Sequence, residues 1–284
     1  MRPLLIALFS ALLVSPAYAQ QTTARDIQLE PVWRTGGFEN PESALYAADT
    51  GFIYVSNVSG GGGDVDGNGF ISRLTPNGEI DTLRWASDGL NAPKGLARFG
   101  NRLYVTDITD IVEIDLFSGA ILARYPADGA AFLNDAIADA SGRVFVSDSG
   151  TARIYVLEGG VVSIWAEGDL LRSANGLWLE PDRMLLITMS DRLVSIDRET
   201  REVRVLAEGV GSGDGIAPDG FGGYLANEWP GQVYRILPTG EVTVLADVRE
   251  SGVYTNDFTI VGDIIYTPHF NSGEISAAQI SPRD

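Results

Sequence analysis

Cysteine is absent from the 284-residue sequence, which excludes disulfides, thiol catalysis and thiolate metal sites. Histidine occurs only once, at His269, so the imidazole ligands that zinc usually needs are lacking. Positive charge is also scarce, because 20 Lys and Arg face 38 Asp and Glu and leave a net charge of −18. Such a balance repels phosphate backbones and anionic lipids and attracts cations, so we expect no nucleic-acid partner.

Long hydrophobic runs are few, and the one that stands out lies at the N-terminus. Arg2 precedes an apolar stretch at 4–14, and a small-x-small site, Ala-Tyr-Ala, follows at 17–19. The stretch is too short for a comfortable membrane span, and no second one follows. The pattern predicts a signal peptide over residues 1–19 and a periplasmic or secreted mature chain, 20–284, without a membrane partner.

What the sequence does contain is internal repetition. Six similar segments carry a polar or charged residue at the same place, namely Glu42, Lys94, Asn134, Asn175, Asp214 and Asn256. Their successive separations are 52, 40, 41, 39 and 42 residues. Glycine-containing turns give a second measure of the repeat, because Gly78, Gly119 and Gly160 follow one another at intervals of 41. Both measures indicate six repeats of about forty residues.

Strand-length runs rich in Val, Ile, Tyr and Leu lie between these marks and are bounded by turns. About four such strands per forty residues is typical of a β-propeller blade. The sequence therefore predicts an all-β fold, a single-domain six-bladed β-propeller with four strands per blade. The last repeat lacks an outer strand, and the run at 27–35 is predicted to supply it and close the ring. A β-sandwich is the alternative, but it does not explain six equal repeats.

The six aligned residues should meet at the centre of such a propeller, because each begins the innermost strand of its blade. Polar side chains at this position need a common partner, since buried oxygens without hydrogen bonds cost free energy. Two carboxylates and several amide oxygens suit a hard divalent cation, with calcium preferred over magnesium. We therefore expect a Ca2+ ion in the central channel.

The repeat heads PES, LND, ANGL and DGIAPDG resemble those of the regucalcin, gluconolactonase and luciferin-regenerating-enzyme superfamily of calcium-dependent six-bladed propellers. The resemblance extends over essentially the whole mature chain. It implies a calcium ion held by Glu42, Asn134, Asn175 and Asp214, and a small-molecule substrate. In the gluconolactonases the position of Asn134 can contact the substrate instead.

The sequence departs from this superfamily at three places. Phe132 stands where gluconolactonases carry the arginine that grips a sugar acid, which argues against aldonolactones as substrates. Lys94 stands where paraoxonase-like members have a histidine, so the histidine-dyad route to lactone hydrolysis is excluded. Ala217 replaces the carboxylate that helps to hold a second, structural calcium in some members.

Lys94 allows three interpretations. It can form an ion pair with Asp257 or Asp135, each of which is next to an aligned asparagine. It can replace the metal altogether, or it can act as a catalytic group with a lowered pKa beside the ion. Of these we expect the ion pair across the channel.

The segment 64–72 lies on the same face of the predicted propeller. It matches the start of a calcium loop, with Asp64, Asp66 and Asn68 as oxygen ligands, although Thr75 occupies the place of the final glutamate. A possible second calcium site is one interpretation. The other is a flexible lid over the pocket, which the glycines that precede the segment favour.

The function predicted from these features is that of an exported calcium-dependent hydrolase, in which calcium polarises the carbonyl of a lactone or related ester. Water would be activated by Asp214, Asp257 or His269. The substrate pocket is expected to involve Phe132, Trp229, Tyr254 and Asn256. The alternative is a non-catalytic propeller that binds a ligand or a protein, with a structural metal or a Lys94-centred ring of salt bridges. The sequence does not indicate an oligomeric state.

Overall fold

The computed structural model describes residues 25–283, and the predicted signal peptide lies outside the described residues. Residues 25–283 form six antiparallel sheets of four strands each, which confirms the predicted six-bladed β-propeller. No helix in this part of the chain is long and apolar enough to cross a membrane.

The first strand, β1 (Ile27–Gly36), precedes the first blade in the sequence. The first blade consists of β2 (Pro41–Ala47), β3 (Phe52–Asn57), β4 (Gly69–Leu74) and β5 (Ile80–Leu90). The second blade consists of β6 (Pro93–Phe99), β7 (Arg102–Asp107), β8 (Asp110–Asp115) and β9 (Ile121–Pro126). The third blade consists of β10 (Leu133–Ala138), β11 (Val144–Asp148), β12 (Arg153–Glu158) and β13 (Val161–Glu167).

The fourth blade consists of β14 (Ala174–Leu179), β15 (Arg183–Thr188), β16 (Arg192–Asp197) and β17 (Val203–Glu208). The fifth blade consists of β18 (Gly213–Pro218), β19 (Tyr224–Glu228), β20 (Gln232–Ile236) and β21 (Val242–Asp247). The sixth blade contains β22 (Thr259–Val261), β23 (Ile264–His269) and β24 (Glu274–Pro282). Short 3-10 turns at Asp169–Leu171 and Arg249–Ser251 lie in connections between blades.

The N-terminal strand closes the ring, as the sequence predicts. β1 pairs antiparallel with β24 and is the outermost strand of the sixth blade, in the order β1-β24-β23-β22. It also contacts the first blade, because the indole N–H of Trp33 donates to the carbonyl of Pro76 at 3.0 Å and Thr35 Oγ1 donates to the carbonyl of Gly78 at 2.8 Å. One strand therefore covers the edge of β24 and joins the last blade to the first.

Hydrophobic side chains fill the spaces between blades. The middle strands are covered on both faces, so they carry nearly continuous hydrophobic runs, and five of the six residues of β3 are buried. Between the first two blades the core includes Tyr54, Ile71, Leu103 and Val105, each with no exposed surface. Tyr54 also meets Trp85 edge to face, with 4.8 Å between the ring centroids. This packing fixes the orientation of the blades around the channel.

A β-bulge near the start of the innermost strand positions the aligned residue of each of the first five blades. The register between the first two strands of these blades shifts at the same place, between Pro41 and Ala44, Pro93 and Leu96, Leu133 and Ala136, Ala174 and Leu177, and Gly213 and Ile216. Each shift contains two residues outside the ladder, and the first of them is the aligned residue. The aligned residues therefore occupy equivalent positions around the channel.

The residue that follows each aligned position controls how closely neighbouring blades approach. In the first blade it is Ser43, whose hydroxyl donates to Asp257 Oδ2 at the start of the sixth blade at 2.7 Å. In the fourth blade it is Gly176, where a Cβ would lie only 2.1 Å from the carbonyl oxygen of Asp214 in the next blade. Only glycine fits at this contact, which explains the glycine of the ANG segment.

Candidate metal centre

The structure brings all six aligned residues together at one end of the channel. These residues, here called the ring, line a cavity of about 390 Å³, and none has more than 6% of its surface exposed. The rest of this ring cavity is lined by glycines 60–62 and by Val58, Phe132, Met189, Trp229 and Phe270. The cavity is therefore polar at the ring and apolar elsewhere.

Three oxygens of the ring are buried without a hydrogen-bond partner, namely Glu42 Oε2, Asn134 Oδ1 and Asn175 Oδ1. The amide nitrogens of both asparagines are engaged. Asn134 Nδ2 donates to Ser149 Oγ at 3.1 Å, and Asn175 Nδ2 donates to Asp214 Oδ1 at 2.8 Å. Both amides are thus held with their oxygens free. Because buried acceptors without donors are costly, these three oxygens form a candidate site for a cation.

These three residues and Asp214 form a donor set that suits calcium, since two carboxylates and two amide oxygens are hard ligands. The other two ring residues are engaged elsewhere. Asn256 Oδ1 accepts the N–H of Phe270 at 3.3 Å, and Lys94 donates to backbone carbonyls. Residues 25–283 contain no group of three or more His, Cys, Asp or Glu arranged to hold a metal. The ring has only two such residues, so its remaining oxygens must come from amides.

The ring carboxyls lie among like charges. Burial raises the pKa of Glu42 well above its usual range, and the neighbouring Asp214 and Asp257 raise this pKa further. Burial likewise raises the pKa of Asp214, and Asp257 adds to the effect. Without a cation these carboxyls keep their protons to a higher pH than ordinary carboxyls do. A divalent ion that binds in the ring has to displace those protons.

The predicted ion pair of Lys94 with Asp257 or Asp135 is wrong. Lys94 Nζ instead donates to the carbonyl oxygens of Gly62 at 2.7 Å and Ala92 at 3.0 Å. The physical reason is that backbone carbonyls within reach satisfy the buried ammonium, and the two acids have partners of their own.

Asp257 and Asp135 each follow a ring residue and bind to neighbouring inner strands. Asp257 Oδ2 accepts the hydroxyl of Ser43 at 2.7 Å, and Asp135 Oδ2 accepts the N–H of Leu177 at 2.6 Å. Both acids line a second cavity of about 440 Å³, in the part of the channel beyond the ring. Asp257 therefore lines this second cavity and not the ring cavity. Burial raises its pKa to about 7.

A Lys94-centred ring of salt bridges is likewise not formed within residues 25–283. The ammonium of Lys94 lies over the aromatic side chain of Phe132, 4.4 Å from its centroid, and Glu42 Oε2 is left without a partner. Burial lowers the pKa of Lys94, while the charges of Glu42 and Asp107 oppose this effect. The ammonium therefore does not occupy the place of a cation among the ring oxygens.

His269 lies outside the ring cavity. Its imidazole is 4% exposed and lines an inter-blade cavity of about 420 Å³, between the fifth and sixth blades. Both imidazole nitrogens are hydrogen-bonded, Nδ1 with the carbonyl of Tyr254 and Nε2 with Ser276 Oγ, each at 2.8 Å. Burial lowers the pKa of His269, which favours the neutral imidazole. Of the three predicted water-activating residues, Asp214 is the one that lines the ring cavity.

The apolar side chains that line the ring cavity, here called the apolar wall, come mostly from equivalent positions in their blades. Four of its residues come directly after the second strand of a blade, namely Val58, Met189, Trp229 and Phe270. The sequence predicts Phe132 and Trp229 for the pocket but misses the other three, which an alignment of these strand ends would have found. Tyr254 does not line the cavity and instead packs against Trp229, with 4.4 Å between the ring centroids.

The loop between β3 and β4 reaches over the ring cavity, since glycines 60–62 form part of its lining. The predicted calcium ligands of this loop are exposed and take part in its own turns. Asp64 Oδ2 accepts the N–H of Gly61 at 2.9 Å, and Asp66 Oδ1 accepts the N–H of Asn68 at 3.0 Å. The glycines of the loop therefore border the ring cavity, and its predicted calcium ligands lie outside the lining.

No protein-family model matches the chain, and no curated protein sequence matches it significantly. Solved structures, in contrast, match the chain in fold. Selenomethionine-substituted virginiamycin B lyase from Staphylococcus aureus superposes with a TM-score of 0.65 at 12% identity, over 89% of this chain and 99% of that one. A catalytically inactive histidine-to-alanine variant of the same lyase with quinupristin gives 0.62 at 13% identity, with the same coverage.

A chain of the nidogen/laminin complex superposes with a TM-score of 0.63 at 18% identity, over 73% of this chain and 85% of that one. Identities this low show the fold alone. The chain is thus a six-bladed β-propeller that is similar in fold to virginiamycin B lyase and to a chain of the nidogen/laminin complex.

Proposed function

We propose that this protein is an exported hydrolase that binds calcium in the ring and cleaves a lactone or related ester in the ring cavity. The observation that carries the proposal is the three buried ring oxygens without partners, beside a cavity of a size that holds small ligands. The resemblance to the regucalcin-like superfamily supports the same four ligands, Glu42, Asn134, Asn175 and Asp214. A bound calcium would supply the positive charge that polarises a substrate carbonyl.

Asp214 is the base in this proposal. Its carboxyl lines the ring cavity and is oriented by Asn175 Nδ2, and burial raises its pKa. A bound calcium would lower this pKa again and keep the carboxyl ionised, as a general base must be. Asp214 takes a proton from water while the water oxygen adds to the carbonyl carbon. When the acyl–oxygen bond breaks, that proton passes to the leaving alkoxide oxygen, and a lactone becomes a hydroxy acid.

A non-catalytic binding propeller is the second candidate. It is favoured by the number of predicted catalytic groups that have structural partners instead. Both ring nitrogens of His269 are hydrogen-bonded, and Lys94 is held by two carbonyls and an aromatic ring. Such a protein would hold the same ligand in the ring cavity without turnover.

Metal analysis and turnover distinguish the two candidates. We expect the purified mature protein to bind calcium and to hydrolyse members of a panel of lactones and aryl esters, with activity lost in EDTA. Calcium binding without turnover of any panel member would support the binding propeller. A protein that binds no calcium would contradict the metal site in both.

Asp214→Asn is expected to weaken calcium binding at least about tenfold, because it removes one of the two ring carboxylates. Asp64→Asn is the matched control, since it makes the same change in the exposed loop. It should alter the affinity little. Isothermal titration calorimetry measures both, and equal effects would move the main site to the loop.

Export is proposed from the N-terminal pattern and predicts a mature N-terminus at Gln20. Mass spectrometry of the protein recovered from the periplasm of an expressing bacterium measures this terminus. A periplasmic protein that retains residues 1–19 would be evidence against the predicted cleavage.

A further inference from the structure

We infer that the substrate is neutral and carries an apolar alkyl or aryl group next to the scissile carbonyl unit. The inference rests on the proposed function and narrows its substrate class. Outside the ring, the cavity side chains are Val58, Phe132, Met189, Trp229 and Phe270. None of them is charged, and the indole N–H of Trp229 is the single donor that they offer.

A polyhydroxylated substrate fits this wall poorly. Each hydroxyl placed against it gives up water and finds no protein partner, which costs free energy. An alkyl or aryl group gains free energy there through burial. Trp229 and Phe270 already pack edge to face, with 6.3 Å between ring centroids, so part of the apolar surface is preformed.

An anionic substrate is disfavoured as well. The ring contains Glu42 and Asp214, which balance the charge of a bound calcium, and the net charge of the chain is −18. Lys94 is the sole lysine of the sequence, and two backbone carbonyls engage its ammonium. Within residues 25–283 no arginine lines the ring cavity. The cavity therefore has no free cationic side chain to hold a carboxylate or phosphate.

A series of neutral δ-lactones with alkyl substituents of one to six carbons tests the inference. We expect kcat/KM to rise about fourfold per added methylene until the cavity is full. Glucono-δ-lactone, which has the same ring with hydroxyl substituents, should be a poor substrate. A flat series, or a preference for glucono-δ-lactone, would overturn the inference while leaving the proposed hydrolysis intact.

Met189→Gln tests the wall itself, because Met189 lines the cavity yet is 39% exposed, so the change should not disturb folding. Leu122→Gln is the control, an exposed leucine on β9 outside the cavity lining. The gain in kcat/KM per added methylene should shrink in Met189→Gln and stay unchanged in Leu122→Gln. If no lactone is turned over, the proposed hydrolase activity is wrong. The inference about the ligand is then tested by calorimetric measurement of lactone affinity. Affinity must then still rise with alkyl length in the wild type, and a flat affinity series overturns it.

A second inference rests on different contacts. We propose that Lys94 is a positioning residue that latches the arc 60–66 over the ring cavity. Among the described residues, the hydrogen bond from Lys94 Nζ to the carbonyl of Gly62, at 2.7 Å, is the one that links this arc to residues outside the loop between β3 and β4. The carbonyl of Ala92 holds the same ammonium from the propeller side at 3.0 Å.

Phe132 completes the latch. Its ring lies 4.4 Å from Lys94 Nζ, and a Cβ on Gly62 would lie 3.1 Å from Phe132 Cζ. The arc therefore rests directly on this aromatic side chain. Its consecutive glycines, 60–63, give the backbone the freedom to move when those contacts break. Because the arc is part of the cavity lining, its position controls access to the ring.

Two neighbouring glycines provide a matched pair of variants. A Cβ at Gly62 meets both Phe132 and Lys94, whereas a Cβ at Gly63 has nothing within 4 Å. Gly62→Ala should increase amide hydrogen exchange at least about tenfold at Gly61 and Asp64, whose N–H groups are the hydrogen-bonded amides of the described arc, and Gly63→Ala should not. Exchange in the strands is the internal control for folding. Equal exchange in the two variants would overturn the latch.

The sole lysine gives a direct readout of the same motion. An amine-reactive reagent can label only Lys94 and the N-terminal amine, so labelling of Lys94 reports how often the latch opens. We expect faster labelling in Gly62→Ala than in Gly63→Ala. Lys94→Arg keeps donors and an aromatic contact and should protect the arc from exchange, whereas Lys94→Met should not. Wild-type exchange in Lys94→Met would show that the arc is held by something else.

Discussion

Calcium added to the metal-free protein at pH 7.5 is expected to raise the melting temperature by about 10 °C. A ligand that binds only the folded state stabilises it by about 4 kcal/mol at a thousandfold excess over its Kd. For a domain of this size, 1 kcal/mol corresponds to about 2–4 °C. The ring supplies the site, since oxygens of Glu42, Asn134 and Asn175 are buried without partners. Differential scanning calorimetry with calcium and with EDTA measures the shift.

Magnesium and a ring variant are the controls for this experiment. Magnesium demands near-octahedral geometry and dehydrates reluctantly, so it should stabilise far less at the same concentration. Asp214→Asn should lose about a third or more of the calcium-dependent shift, because a tenfold weaker affinity lowers the stabilisation from about 4 to about 2.7 kcal/mol at the same calcium concentration. A melting temperature that neither calcium nor EDTA changes would contradict the proposed metal site.

The ring could be predicted from the sequence because its spacing repeats. A blade period of about forty residues places the same position at the head of each inner strand. The bulge that positions this residue recurs in five blades, so Asn134 and Asn175 converge in the structure as their alignment implies. The closing strand β1 was predictable for a related reason, since one blade lacked its outer strand.

Side-chain direction at the ends of strands could not be predicted in this way. His269 ends β23 and lines the inter-blade cavity, whereas the next residue, Phe270, lines the ring cavity. One step along a strand reverses the side-chain direction, and strand ends cannot be located in a sequence to within one residue. Lys94 escaped prediction because its main partner, Gly62, belongs to a loop of another blade.

The metal-free protein is expected to lose stability as the pH rises from 5.5 to 8. Burial raises the pKa of Glu42, Asp135 and Asp214, and it raises that of Asp257 from 3.8 to about 7. In this range the unfolded chain has released these protons while the folded chain still holds them, so a higher pH favours unfolding. Between pH 5.5 and 8 the titration of Asp257 lowers the free energy of unfolding by roughly 2 kcal/mol, because the loss accumulates from 5.5 up to its folded pKa of about 7. Urea denaturation in EDTA at both pH values measures the change.

Asp257→Asn isolates this contribution. The amide oxygen can still accept the hydroxyl of Ser43, but the titrating carboxyl and its repulsion of Glu42 and Asp214 are gone. In EDTA the free energy of unfolding should therefore fall less between pH 5.5 and 8 than in the wild type, and the variant should be the more stable protein at pH 8. Asp64→Asn, in the exposed loop, should keep the wild-type pH dependence. Calcium should restore wild-type stability at pH 8, because it replaces protons in the ring. An identical pH dependence in Asp257→Asn and the wild type would show that this buried acid is not the source of the loss.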